Sequence, residues 1–154
     1  MPRPVALAPL LLLALAACHH PRHRPSAGGL AVTDARLLLP AVPGHPGAGY
    51  FTLANRTGAA VTLTGVDIAG AGRSEMHETT GGAMQPLASL AVPAGQSVAF
   101  APGGRHVMVF DLAAKLKPGG KAGIVLHFAD GRSSAAPMRV EAPGGGDGMA
   151  GMTM

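Results

Sequence analysis

Between residues 30 and 141 the chain never sustains an apolar period of 3.6 residues. Turn signals cut it at intervals of about 8 to 12 residues, which confines it to an all-β fold of many short strands. Arg56-Thr57-Gly58, Gly81-Gly82, Pro93-Ala94-Gly95-Gln96, Pro102-Gly103-Gly104 and Pro118-Gly119-Gly120 supply the breaks. Asp130-Gly131 is the strongest hairpin signal, because both residues tolerate the positive φ that a tight hairpin needs. The candidate strands are 30–39, 48–55, 60–68, 73–78, 87–92, 97–101, 106–112, 122–129 and 134–141, with 40–47 as a Pro/Gly loop. At 154 residues and 47% hydrophobic, the chain has material for one core and not two. Aromatic residues are 3% with no Trp, so Val, Leu, Ala and Phe must fill that core. A single-domain antiparallel β-sandwich or Greek-key barrel is expected.

The chemistry is concentrated from Met76 to Met108. This stretch offers His77, Met84, His106 and Met108, with Met76 beside the first of them, and contains no thiol. Thioether sulfur is a soft ligand that needs no deprotonation, and imidazole suits copper, so this donor set selects Cu(I) over hard cations. Strand alternation puts His106 and Met108 on one face while Val107 turns to the other, so one strand supplies two donors. His77 and Met84 are the candidates to complete the set. Taken singly, a Met in a strand is usually a core filler and a lone His a hydrogen-bonded surface residue. On that ground Met138 is read as core. His127, between Leu126 and Phe128, is read as an outward structural residue and His45 as a loop residue.

The spacing resembles the signature of the periplasmic copper chaperone family PCu(A)C: a His, a Met, twenty-one residues, then His-x-Met. Met84 and His106 are separated by twenty-one residues, and Val107-Met108 completes the second half. Met84-Gln85-Pro86-Leu87 is similar to the family's Met-Arg-Pro-Val, and Pro102 to Met108 to its Pro-Gly-Gly-x-His-x-Met. Tyr50 to Gly58 resembles the family's hairpin ending Asn-Thr-Gly. Two departures stand out. Only six residues separate His77 from Met84 where the family usually has ten, and 35–39 lacks the usual aromatic residues of the first strand. The resemblance covers nearly all of residues 30 to 141. It implies a cupredoxin-like fold and one Cu(I) held at the rim by His77, Met84, His106 and Met108; Met76, beside His77, is a candidate auxiliary donor on its own chemistry. It further implies delivery of copper to cytochrome c oxidase, at its copper-bearing subunit, alongside Sco-type copper proteins.

The ends read differently. Arg3 followed by thirteen apolar residues, 5–17, has the form of a signal peptide too short to span a bilayer comfortably. Leu15-Ala16-Ala17-Cys18 resembles a bacterial lipobox, which makes Cys18 the lipidated first residue of a membrane-anchored periplasmic protein. Cys18 is the only cysteine, so no intramolecular disulfide forms. Residues 18–29 are a solvated tether whose His19, His20 and His23 are candidate Cu(II) donors; residues 30–142 are the folded domain. The tail, 143–154, is Gly-rich and cannot pack a core, and its Met149, Met152 and Met154 are further candidate donors.

Charge narrows the field. The net charge is +4, but setting aside Arg3, Arg22 and Arg24 leaves nine basic against eight acidic residues. With no basic stripe interleaved with aromatic residues, nucleic acid is excluded as a partner. A blue-copper carrier or redox enzyme is disfavoured because the sole Cys lies in the tether and no acid/base pair accompanies the donors. Two alternatives remain: a copper-sequestering lipoprotein for copper tolerance, using arm and tail, and a metal-free module, which requires Met84 to be buried.

Overall fold

Strict alternation along the second strand shows how the domain is built. Gly47, Gly49, Phe51, Leu53 and Asn55 turn inward, while Ala48, Tyr50, Thr52 and Ala54 face outward. The computed structural model describes residues 29–144. It contains ten strands: β1 (Leu30–Leu38), β2 (Gly47–Asn55), β3 (Val61–Ile68), β4 (Arg73–Thr80), β5 (Ala83–Pro86), β6 (Leu90–Val92), β7 (Ser97–Phe100), β8 (Arg105–Phe110), β9 (Lys121–Phe128) and β10 (Ser133–Glu141). No helix occurs among the described residues.

The strands form one sheet in the order β5-β4-β8-β2-β1-β10-β9-β3-β6, with β7 also pairing β2. The sheet curls until β3 and β4, near its opposite ends, pack against each other, so a single sheet supplies both walls of the core. Gly49 permits this closure: a Cβ there would sit 3.0 Å from the Ile68 side chain and 3.3 Å from Val107. The core contains Leu37, Phe51, Leu53, Leu63, Phe100, Val107, Val109, Ile124, Leu126 and Met138. The Phe51 and Phe100 rings stack at 4.4 Å.

Asn55 locks one end of the barrel. Its buried side-chain amide donates to the carbonyls of Ala59 at 2.8 Å and Val92 at 2.9 Å, and its Oδ1 accepts from the Thr57 N–H at 3.0 Å. Each such bond contributes roughly 1 kcal/mol net, and a buried amide left unpaired costs more than that.

The all-β fold holds, with three differences from the sequence reading. First, β1 pairs β10 in parallel, Arg36 opposite Arg139 and Leu37 opposite Val140, so the sheet is mixed. No hairpin signal marks such a pair because it joins the two ends of the chain. Second, a bulge between Thr33 and Arg36 interrupts β1, with Asp34 at φ 54°, which switches the inward positions from Leu30 to Ala35 and Leu37. Third, 83–86 is a strand of its own, and the strand expected over 87–92 begins only at Leu90.

Candidate metal centre

The centre is built on β4, β5 and β8, which lie side by side at one end of the sheet order. β4 and β8 run antiparallel with His77 directly opposite His106, Glu75 opposite Met108 and Met76 opposite Val107. Opposed residues share a face, so His77, His106, Met108 and Glu75 form one outward patch. The two imidazole rings stack with centroids 5.9 Å apart and planes at 23°.

Met84 arrives by the β4–β5 hairpin. Gly81 and Gly82 both hold positive φ, 60° and 80°, which only glycine adopts readily and which suits a two-residue hairpin turn. Thr80 then pairs with Ala83, Thr79 with Met84 and His77 with Pro86, so Met84 lies diagonal to His77 on the same face. The connection is four residues shorter than in the resembling family, and four is an even number. With a strand period of two, that shortening leaves the face of Met84 unchanged. Backbone bonds from Thr79 N–H to the Gly104 carbonyl (3.2 Å) and from Leu87 N–H to the Met76 carbonyl (2.8 Å) hold the hairpin against its neighbours.

Hydrogen bonding assigns the ring nitrogens. His106 Nδ1–H donates to the Gly104 carbonyl at 3.3 Å, which leaves Nε2 with the free lone pair. His77 Nε2–H donates a long bond, 3.4 Å, to Glu75 Oε2. Its Nδ1 is buried and has no hydrogen-bond partner among the described residues. A buried acceptor without a donor is an unsatisfied position that a cation can occupy. Glu75 is itself held by Arg73, whose guanidinium lies over the Phe110 ring at 4.1 Å. Glu75 was not among the candidates read from sequence, although its position two residues before His77 puts it on the same strand face.

The donor set fits a soft cation better than a hard one. Among the described residues no group of three His, Cys, Asp or Glu is arranged to hold a metal ion, whereas the two imidazoles share their face with the thioether of Met108 and adjoin that of Met84, soft donors suited to Cu(I). Met84 is 53% exposed, which contradicts the metal-free module that needs it buried. Met76 is a correction: it is 7% exposed and lies on the inner face opposite Val107, so its sulfur belongs to the core. Its neighbour in sequence faces the other way because successive strand residues alternate. Met138 is buried in the core, and His127 faces outward with Nε2 2.8 Å from Asp67 Oδ2. Cys18, His19, His20, His23, Met149, Met152 and Met154 lie outside the described residues.

Comparison with known proteins places the fold. The copper-bound PCuAC domain from PmoF2 superposes with a TM-score of 0.63 at 25% identity, covering 75% of this chain and 95% of that one. The apo PmoF2 PCuAC domain gives 0.62 at 26%, covering 80% and 97%. Apo-DR1885 from Deinococcus radiodurans gives 0.54 at 25%, covering 95% and 98%. In sequence, "Putative lipoprotein Lxx21020" of Leifsonia xyli subsp. xyli (strain CTCB07) is 30% identical over 140 residues, 85% of this chain and 84% of that protein. The family model described as "Putative lipoprotein LpqE-like" matches residues 30–143. The chain belongs to this LpqE-like family, and its domain has the PCuAC fold.

Proposed function

We propose that the domain is a Cu(I) carrier outside the cytoplasm, with His77, Met84, His106 and Met108 as ligands. The observation that carries this reading is the cross-strand His77–His106 pair on an outward face, with Met108 two residues along β8 and Met84 exposed on the adjoining hairpin. Neutral ligands at a surface bind Cu(I) without proton release and exchange it stepwise, since each thioether can leave without stranding a charge. The copper-bound state of the similar PmoF2 domain supports the assignment of the metal. Copper is cargo here, and the protein carries out no turnover.

The lipoprotein descriptions of the relatives support an anchored chain: leader 1–17, lipidated Cys18, tether 18–29, carrier domain 30–142 and tail 143–154. Such an anchor places the carrier at the periplasmic membrane surface. The acceptor we assign is the copper subunit of cytochrome c oxidase, with Sco-type proteins as co-donors. The test is transfer. Cu(I)-loaded protein mixed anaerobically with the apo copper domain of oxidase subunit II should lose its metal to that domain with one-to-one stoichiometry. Retention of copper by the carrier, together with uptake of several further equivalents, would instead assign it to sequestration.

A further inference from the structure

The outward face that carries the two histidines continues into a row of cations. Tyr50 on β2 and His106 on β8 each lie one residue beyond the Gly49–Val107 pair, on the same face. Tyr50 is paired with Arg36 on β1, Arg36 with Arg139 on β10, and Arg139 with Lys121 on β9. Directly opposed like charges destabilise a sheet. Here two such pairs adjoin, and intramolecular compensation is small. The acid beside them, Glu141, meets Arg139 at 3.5 Å. Arg36 Nε is buried without an acceptor among the described residues, its guanidinium 5.4 Å from the Tyr50 ring centre. Neither Arg36 nor Lys121 has an ion-pair partner among the described residues. Elsewhere on the domain, Arg73, Arg105 and Arg132 each have a carboxylate.

We infer that this row, Arg36, Arg139 and Lys121, is a docking surface for an acidic patch on a protein that exchanges copper with the domain. The copper part rests on the function proposed above; the acidic partner rests on the row alone. The three cations lie on the adjacent strands β1, β10 and β9 and so span two strand spacings of about 4.8 Å, about 10 Å in all. That lies within a standard protein footprint of about 800 Å² per side. Its Arg36 end is separated from His106 only by Tyr50 on β2, so an acidic surface seated at that end lies beside the metal centre. A bilayer on the same face would cover the centre and block exchange, which favours a protein as the occupant.

The test titrates the isotopically labelled full chain with a decaglutamate peptide at low ionic strength, followed by amide and guanidinium NMR. Shifts are expected at Arg36, Tyr50, Lys121 and Arg139, weakening as salt shortens the screening length. Replacing one cation by Gln should weaken binding about threefold, and the triple variant Arg36→Gln, Lys121→Gln, Arg139→Gln at least about tenfold, with thermal stability not lowered and Cu(I) titration unchanged. Arg36→Lys, which keeps the charge, should bind like the wild type. Shifts that map instead to Lys115 and Lys117 and ignore the triple variant would overturn the inference. So would vesicles of seven parts phosphatidylcholine to three of phosphatidylglycerol engaging the row more tightly than the peptide. If the wild type takes up no Cu(I), the carrier reading fails, and the peptide titration still decides the row.

Discussion

The β9–β10 hairpin and the β4–β5 hairpin each present one histidine outward, and their surroundings differ at every level. In β9, Ile124, Leu126 and Phe128 are buried, and the intervening His127 is matched by Asp67 at 2.8 Å. Seven residue pairs tie β9 to β10, and Asp130 at the turn is bonded to Arg132. In the other hairpin all four residues of β5 are exposed, and His77 faces a second imidazole with one nitrogen unpaired among the described residues. Both histidines have a carboxylate neighbour, but the His127–Asp67 contact is short, 2.8 Å, and completes a structural pair, whereas the His77–Glu75 contact is long, 3.4 Å. His77, with its Nδ1 unpaired among the described residues and a second imidazole and thioethers beside it, retains the capacity to bind a cation. The first hairpin contributes stability; the second contributes chemistry at little cost to the core.

Substitutions can break this division. Leu126→Ala removes a fully buried side chain from β9 and is expected to lower stability by about 3 kcal/mol in urea unfolding, while the folded protein keeps its Cu(I) affinity. Equal loss of affinity would show that the two hairpins are not separable. Met84→Ala makes the opposite prediction. Its exposed side chain should leave stability within about 0.5 kcal/mol, while Cu(I) binding, read by chelator competition, weakens about tenfold.

The smallest effect sharpens the structural side. The side-chain hydrogen bond from Arg132, with the Arg132 backbone N–H, holds the Asp130 carboxyl below its ordinary range. A depressed folded-state value means the stabilisation is present above the unfolded carboxylate pKa of about 3.9 and lost as pH falls through the lower folded value. Asp130→Asn should therefore flatten the acid limb of the stability curve below about pH 4 and leave Cu(I) binding at neutral pH unchanged. A change in metal affinity would connect two regions that this account keeps apart.

Much of this contrast was legible in residues alone. Period-two alternation places His106 with Met108 and sets His127 apart from Leu126 and Phe128, and both placements follow from covalent geometry. The same rule puts Met76 and His77 on opposite faces, but which of the two turns inward is fixed only by the pairing of β4 with β8, which buries Met76 opposite Val107. What could not be read depends on tertiary pairing. Ala83–Pro86 has no buried face and ends in Pro, so nothing local marks it as a strand; it is one because β4 pairs with it. The parallel contact of β1 with β10, and with it the Arg36–Arg139 opposition, brings together residues about a hundred positions apart. The bulge at Asp34 reverses the face of half a strand and leaves no signature in composition.

The measurement that bears most directly on the account is an anaerobic Cu(I) titration against a competing chelator, run on the wild type, His106→Ala and His127→Ala. One tight equivalent is expected in the wild type, unchanged in His127→Ala and weakened at least about a hundredfold in His106→Ala. Wild-type affinity in His106→Ala would contradict the assignment of copper to the His77–His106 face.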